Sequence, residues 1–112
     1  MYLLYKQEDN MKKTNYNNEP FFTYSIGSDS YAYAVVRQLS PTRIEVQSMD
    51  SKQVGDYYNN QKWIHAFDDS RKTRVISYRT NKHGQEYWRE MGSQTGYWRP
   101  SKEPKSYRDP SF

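Results

Sequence analysis

Along the second half of the chain, flat rings recur beside guanidinium groups. Trp88 precedes Arg89, Tyr97 and Trp98 precede Arg99, and Tyr107 precedes Arg108, while Arg79 and Lys82 lie just upstream. Aromatic rings stack on nucleobases, and guanidinium groups grip phosphates through paired hydrogen bonds. The pattern therefore points to recognition of a phosphorylated, ring-bearing ligand. Arg79, Lys82, Arg89, Arg99 and Arg108 are the candidate phosphate contacts, and Trp88, Tyr97, Trp98 and Tyr107 the candidate stacking platforms.

Other chemistry finds little support. The chain has no cysteine and two histidines, His65 and His83, neither within a ligand-spaced motif, so the expectation is no metal and no cofactor. There is no Gly-x-Ser-x-Gly elbow and no glycine-rich phosphate loop. Asp68 and Asp69 are adjacent, and consecutive strand residues face opposite ways, so they make a poor acid-base pair. His83 reads as a solvated turn residue. His65, between Ile64 and Ala66, reads as half-buried and satisfied by a backbone group. The expectation is a protein that binds and does not catalyse.

Charge is placed unevenly. Arg71 to Phe112 holds ten Lys and Arg against four acids, a net +6, whereas residues 1–70 hold seven against nine, a net −2. The positive field of the C-terminal part attracts phosphates, although a moderate charge also serves solubility.

These side chains need a scaffold, and the composition limits its kind. A chain of 112 residues fits one domain and buries only about two-thirds of its unfolded surface. Hydrophobic residues make up 34%, yet there are 12 Tyr, 3 Trp and 4 Phe, so amphipathic rings must do much of the packing. "EDNMKKTNYNNEP" has no apolar period and marks residues 1–20 as an arm, with the domain running from 21 to 112. "FFTYSIGSDS" is β-prone and ends in a turn signal. "YAYAVVRQL", "SPT" and "RIEVQSM" form a hairpin in which Ile44 and Val46 alternate with Arg43, Glu45 and Gln47. Residues 50–61 read as a long loop before the short apolar segment "KWIHAF". "TRVISYRT", "NKHG" and "QEYWREM" form a second hairpin, with Gly84 placed for a positive φ. Residues 93–112, rich in Pro and Gly, read as an extended tail crossing the body. The fold class is mainly β with little helix: four or five short strands in a small twisted antiparallel sheet or partly open barrel of SH3 or OB type.

Within that frame the tryptophans have two readings. Trp88 and Trp98 either fill the thin core, with the tail covering an open sheet edge, or stack on a ligand. An open edge also favours homo-oligomers, since pairing two edges buries both. The first residues, "MYLLYKQEDNMKK", contain neither a signal-peptide core nor an apolar span long enough for a membrane, so a cytoplasmic protein is expected.

"GSDSYAYAVVRQLSPTRIEVQSMD" (27–50), "ISYRTNKHGQEYWREMG" (76–92) and "YRDPSF" (107–112) together resemble a group of small tailed-phage proteins of uncharacterised role. Tyr31, Ala34 and Val36 match its first strand, Ile44 and Val46 its second, and Arg79, Asn81, Gly84 and Trp88 its later Arg-x-Asn-Gly-x-Trp segment, here with a longer turn. The resemblance implies a phage accessory protein in the host cytoplasm that acts by binding. Its target is then a phosphorylated nucleotide or nucleotide-derived immune signal, single-stranded nucleic acid, or a host protein or virion partner. The first is the leading expectation, with an anti-defence role and a pocket completed by homo-oligomerisation.

Overall fold

The computed structural model describes residues 16, 18–58, 60–93 and 95–110. Its strands are β1 (Phe21–Ile26), β2 (Asp29–Ser40), β3 (Arg43–Ser48), β4 (Asp50–Gln53), β5 (Trp63–Ala66), β6 (Thr73–Thr80), β7 (Glu86–Glu90) and β8 (Tyr97–Ser101). Six of them close an antiparallel barrel in the order β1-β2-β3-β6-β7-β8, with β1 paired to β8, and β4 and β5 form a separate two-stranded sheet. The expected small β fold is present, and its closure is complete. Among the described residues every barrel strand therefore has a hydrogen-bonded neighbour on both sides. Among the described residues no helix is long and apolar enough to cross a membrane.

Alternation explains the two hairpins. Ile44 and Val46 on β3 and Ile76 on β6 are fully buried, whereas Arg43 beside Ile44 is exposed and Glu45 between Ile44 and Val46 is half-buried. β3 and β6 pair so that Ile44 faces Ile76, placing one apolar row inside the barrel. Residues 81–85 make the β6–β7 turn: Asn81 Oδ1 accepts from the backbone N–H of His83 at 2.8 Å and of Gln85 at 3.0 Å, and Gly84 takes φ +81°. This left-handed conformation favours glycine.

Two segments depart from the sequence reading. The tail expected to be irregular contributes β8, a regular strand. Proline is usually excluded from inner strands, but β8 pairs with β7 only through Trp88 opposite Trp98. Pro100 therefore breaks no pair on that side, while it lies opposite Phe22 of β1 on the other. The expected loop at 50–61 contains β4, which pairs with β5 from Asp50–Ala66 to Gln53–Trp63.

The core is a column of rings. Trp88 packs edge-on against Phe22 at 5.4 Å and tilted against Tyr78 at 5.0 Å, and Trp98 packs edge-on against Tyr33 at 4.7 Å and tilted against Tyr24 at 4.6 Å. Such pairs contribute about 0.5–1.5 kcal/mol beyond burial of their area. Most of the 1–20 arm lies outside the described residues, but Tyr16 belongs to the core and stacks on Phe22 at 5.8 Å. Gly96 sits at φ +76° against the Tyr24 ring, where a Cβ would collide with it. A smaller cluster of Ala32, Ala34, Met49 and Phe21 lies on the outer face of β1 and β2, where Phe67, just after β5, stacks on Phe21 at 6.3 Å.

Since one Trp pair closes the barrel, Trp98→Ala should lower the unfolding free energy by about 3–5 kcal/mol, as large-to-small changes at buried rings do. Urea unfolding followed by circular dichroism measures this; a loss under about 1 kcal/mol would contradict the closure role of Trp98.

Candidate ligand-binding site

The site is built on the outside of the seam between β1 and β8. Phe22, Tyr24 and Trp98 point inward, so their strand neighbours Thr23, Ser25 and Arg99 point outward. Thr23 lies directly opposite Arg99. These residues and Ser101 form the floor of a groove of about 560 Å³ whose walls are Trp63 and His65 of β5 on one side and residues 104–107 on the other. Twelve residues line it, none of them acidic, and two of them, Arg99 and Lys105, are cations. Neither cation has a carboxylate within ion-pair range among the described residues. Thr23 Oγ1 is buried and has no hydrogen-bond partner among the described residues.

A backbone clasp holds the tail wall in place. Ser30 N–H donates to Tyr107 O at 2.8 Å and Tyr107 N–H to Ser30 O at 2.9 Å, a one-pair extension of β2. The Gln61 side chain imitates a strand: its Oε1 accepts from Arg108 N–H at 3.0 Å and its Nε2 donates to Arg108 O. The same Oε1 accepts from Trp63 Nε1 at 3.1 Å, fixing the indole in the groove wall. Arg108 lies over the Tyr31 ring at 3.8 Å and the Trp63 ring at 5.0 Å, and its Nη1 donates to Ser30 O at 2.6 Å. Asp109 N–H donates to Asp29 Oδ1 at 2.7 Å.

His65 Nε2 meets Ser106 Oγ at 2.8 Å. The partner is thus a side chain of the tail, and not the backbone group expected from sequence. Burial pushes the His65 pKa below its ordinary 6.5, so at neutral pH the ring is uncharged. A Ser-His pair could activate a hydroxyl nucleophile if a carboxylate oriented the ring. Among the described residues none bonds the other ring nitrogen, and no group of three His, Asp or Glu gathers to hold a metal ion. The pair joins β5 to the tail.

The candidate residues named from sequence are divided by the fold. Arg99 and Tyr107 line the groove, and Arg108 lies behind it in the clasp. Trp88 and Trp98, 2% and 3% exposed, belong to the core and offer no face to a ligand, because inward alternation commits both indoles to closing the barrel. Tyr97 is 72% exposed at the start of β8 but does not line the groove. Arg79, Lys82 and Arg89 belong to the β6–β7 hairpin, away from this site. Trp63, His65, Thr23 and Ser106 were not among the sequence candidates. Alternation of Trp63 and His65 against Lys62, Ile64 and Ala66 was a legible sign of a two-faced strand, but nothing local said what its inner face meets. Comparison with protein-family models, with curated proteins and with solved structures returned no match to this chain.

Because the folded state disfavours protonated His65, the stability carried by the uncharged ring beside Ser106 is full above pH 6.5 and is lost as pH falls through the lowered folded pKa. The protection factor of the Tyr107 amide, corrected for intrinsic exchange, should therefore drop between pH 7.5 and 5. His65→Asn should abolish that dependence; a pH-independent protection factor in the native chain would contradict the assignment.

Proposed function

We propose that the chain is a non-catalytic binding protein that takes a phosphorylated nucleotide, or a signal derived from one, into the groove between β1, β8, β5 and the tail. The observation that carries this reading is a groove in which, among the described residues, no acid lines the walls and two cations without acidic partners, Arg99 and Lys105, lie with two rings, Trp63 and Tyr107. Arg99 and Lys105 neutralise phosphate, and the rings flank a base. The groove volume falls in the range of small-ligand sites. Thr23, whose buried Oγ1 has no partner among the described residues, lies at the floor of this groove.

One chain supplies the floor and both walls, so binding does not require a second copy. In the setting implied by the tailed-phage resemblance, the protein acts in the host cytoplasm as an anti-defence accessory that lowers the free concentration of a nucleotide signal. Sequestration needs tight binding and no turnover; in the groove His65 Nε2 meets Ser106 Oγ, and among the described residues no acid bonds the ring.

Calorimetry against linear and cyclic nucleotides tests the reading. At least one should bind, and Arg99→Ala should weaken it about tenfold, the loss of one charge-assisted contact worth about 1.4 kcal/mol, without shifting the unfolding midpoint by more than a degree or two. Absence of binding across the panel, or binding unaffected by Arg99→Ala and Lys105→Ala together, would overturn it.

A further inference from the structure

The far side of the barrel carries a second basic surface, made by cross-strand register. Ser77 of β6 lies opposite Arg43 of β3 on one side and Arg89 of β7 on the other. Residues directly opposite one another share a face, and Ile44, Ile76 and Trp88 occupy the inner one. Arg43, Ser77 and Arg89 thus form a row across the outer wall. Arg79, two residues along β6, shares that face and lies opposite Tyr87.

The arginines are held and not paired. Arg79 Nε donates to Ser77 Oγ at 2.9 Å, and Arg89 Nε donates to Ser93 O at 3.2 Å, and among the described residues the terminal nitrogens of both have no hydrogen-bond acceptor. Ser77 itself is 4% exposed, so its hydroxyl serves as a buried anchor beneath the row. The nearest acid on this face, Glu45, is engaged by Arg37 Nε at 2.8 Å. Among the described residues none of Arg43, Arg79 and Arg89 has a carboxylate within ion-pair range. Strand spacing puts the Arg43 and Arg89 backbones about 10 Å apart, and Arg79 about 7 Å from Ser77 along its strand.

We infer that this wall binds the phosphate backbone of single-stranded nucleic acid. Arg43, Arg79 and Arg89 grip successive phosphates, and the half-buried ring of Tyr87, opposite Arg79, is the stacking platform. A polymer suits the surface better than a single small anion, because the charges are spread along and across strands on an open wall and not gathered in a cavity. Lys82, exposed in the adjoining turn, extends the track. The inference stands apart from the groove, with which it shares no residue.

Fluorescence anisotropy with a labelled twelve-nucleotide oligothymidylate tests it, at salt concentrations from 50 to 200 mM. With three phosphates neutralised, the slope of log K against log salt should be about −2. The combined variant Arg43→Gln, Arg79→Gln, Arg89→Gln should bind at least tenfold more weakly while unfolding as the native chain does. The groove variant Arg99→Gln, Lys105→Gln should retain most of the binding. No binding at 50 mM salt, or binding lost with the groove variant and kept by the wall variant, would overturn the inference. Binding with a slope near zero would overturn it too. Failure of nucleotides to bind the groove leaves this result untouched, so the two readings fail separately.

Discussion

The Trp88–Trp98 pair is the contact on which the remaining architecture depends. β7 and β8 pair at that one backbone position, so the barrel closes through a single strand pair and not through a long ladder. Both indoles are buried by Phe22, Tyr24, Tyr33 and Tyr78, and this packing fixes the register of β8. A slip by one residue would bring Arg99 into the core and put Trp98 in water, a change the barrel cannot accommodate. Burying Trp98 therefore decides that Arg99 points outward, beside Thr23.

What lies outside the barrel follows from that orientation. Small side chains on the outer face, Ala32 and Ala34, pack with Met49, just before β4, and with Phe21, on which Phe67, just after β5, stacks. β5 then forms one side of the groove. The chain leaving β8 at Ser101 forms the other, and returns to the start of β2 through the Tyr107–Ser30 bonds. A protein this rich in tyrosine and arginine uses the same residue types for two purposes: inside, rings replace aliphatic side chains, and outside, they carry a guanidinium, as Tyr31 and Trp63 carry Arg108.

The parts legible from sequence were those governed by local alternation. The β2–β3 and β6–β7 hairpins show it in Ile44 and Val46 and in the turn at Gly84. The groove was not legible, because its residues come from β1, β5, β8 and the tail and are assembled only by closure. β8 was obscured by Pro100, which is tolerated because the β7 side pairs only at Trp98. β4 was obscured by its polar composition, since Asp50–Gln53 has no buried residue and alternates only between exposed and half-buried. The crowding of Trp with Arg in the C-terminal part has a plain origin: alternation sends Trp98 inward and Arg99 outward from adjacent positions. The positive charge concentrated after Arg71 is divided in the same way, between the groove at Arg99 and Lys105 and the far wall at Arg79 and Arg89.

The central claim is that of the three tryptophans only Trp63 belongs to a ligand site, while Trp88 and Trp98 hold the barrel. The three indole N–H resonances report on this separately. In a nitrogen-15 titration of the native chain with adenosine 5′-monophosphate, the Trp63 resonance should move with ligand concentration and the Trp88 and Trp98 resonances should stay within a fraction of a linewidth. Movement of Trp88 or Trp98 with Trp63 unmoved would contradict the account.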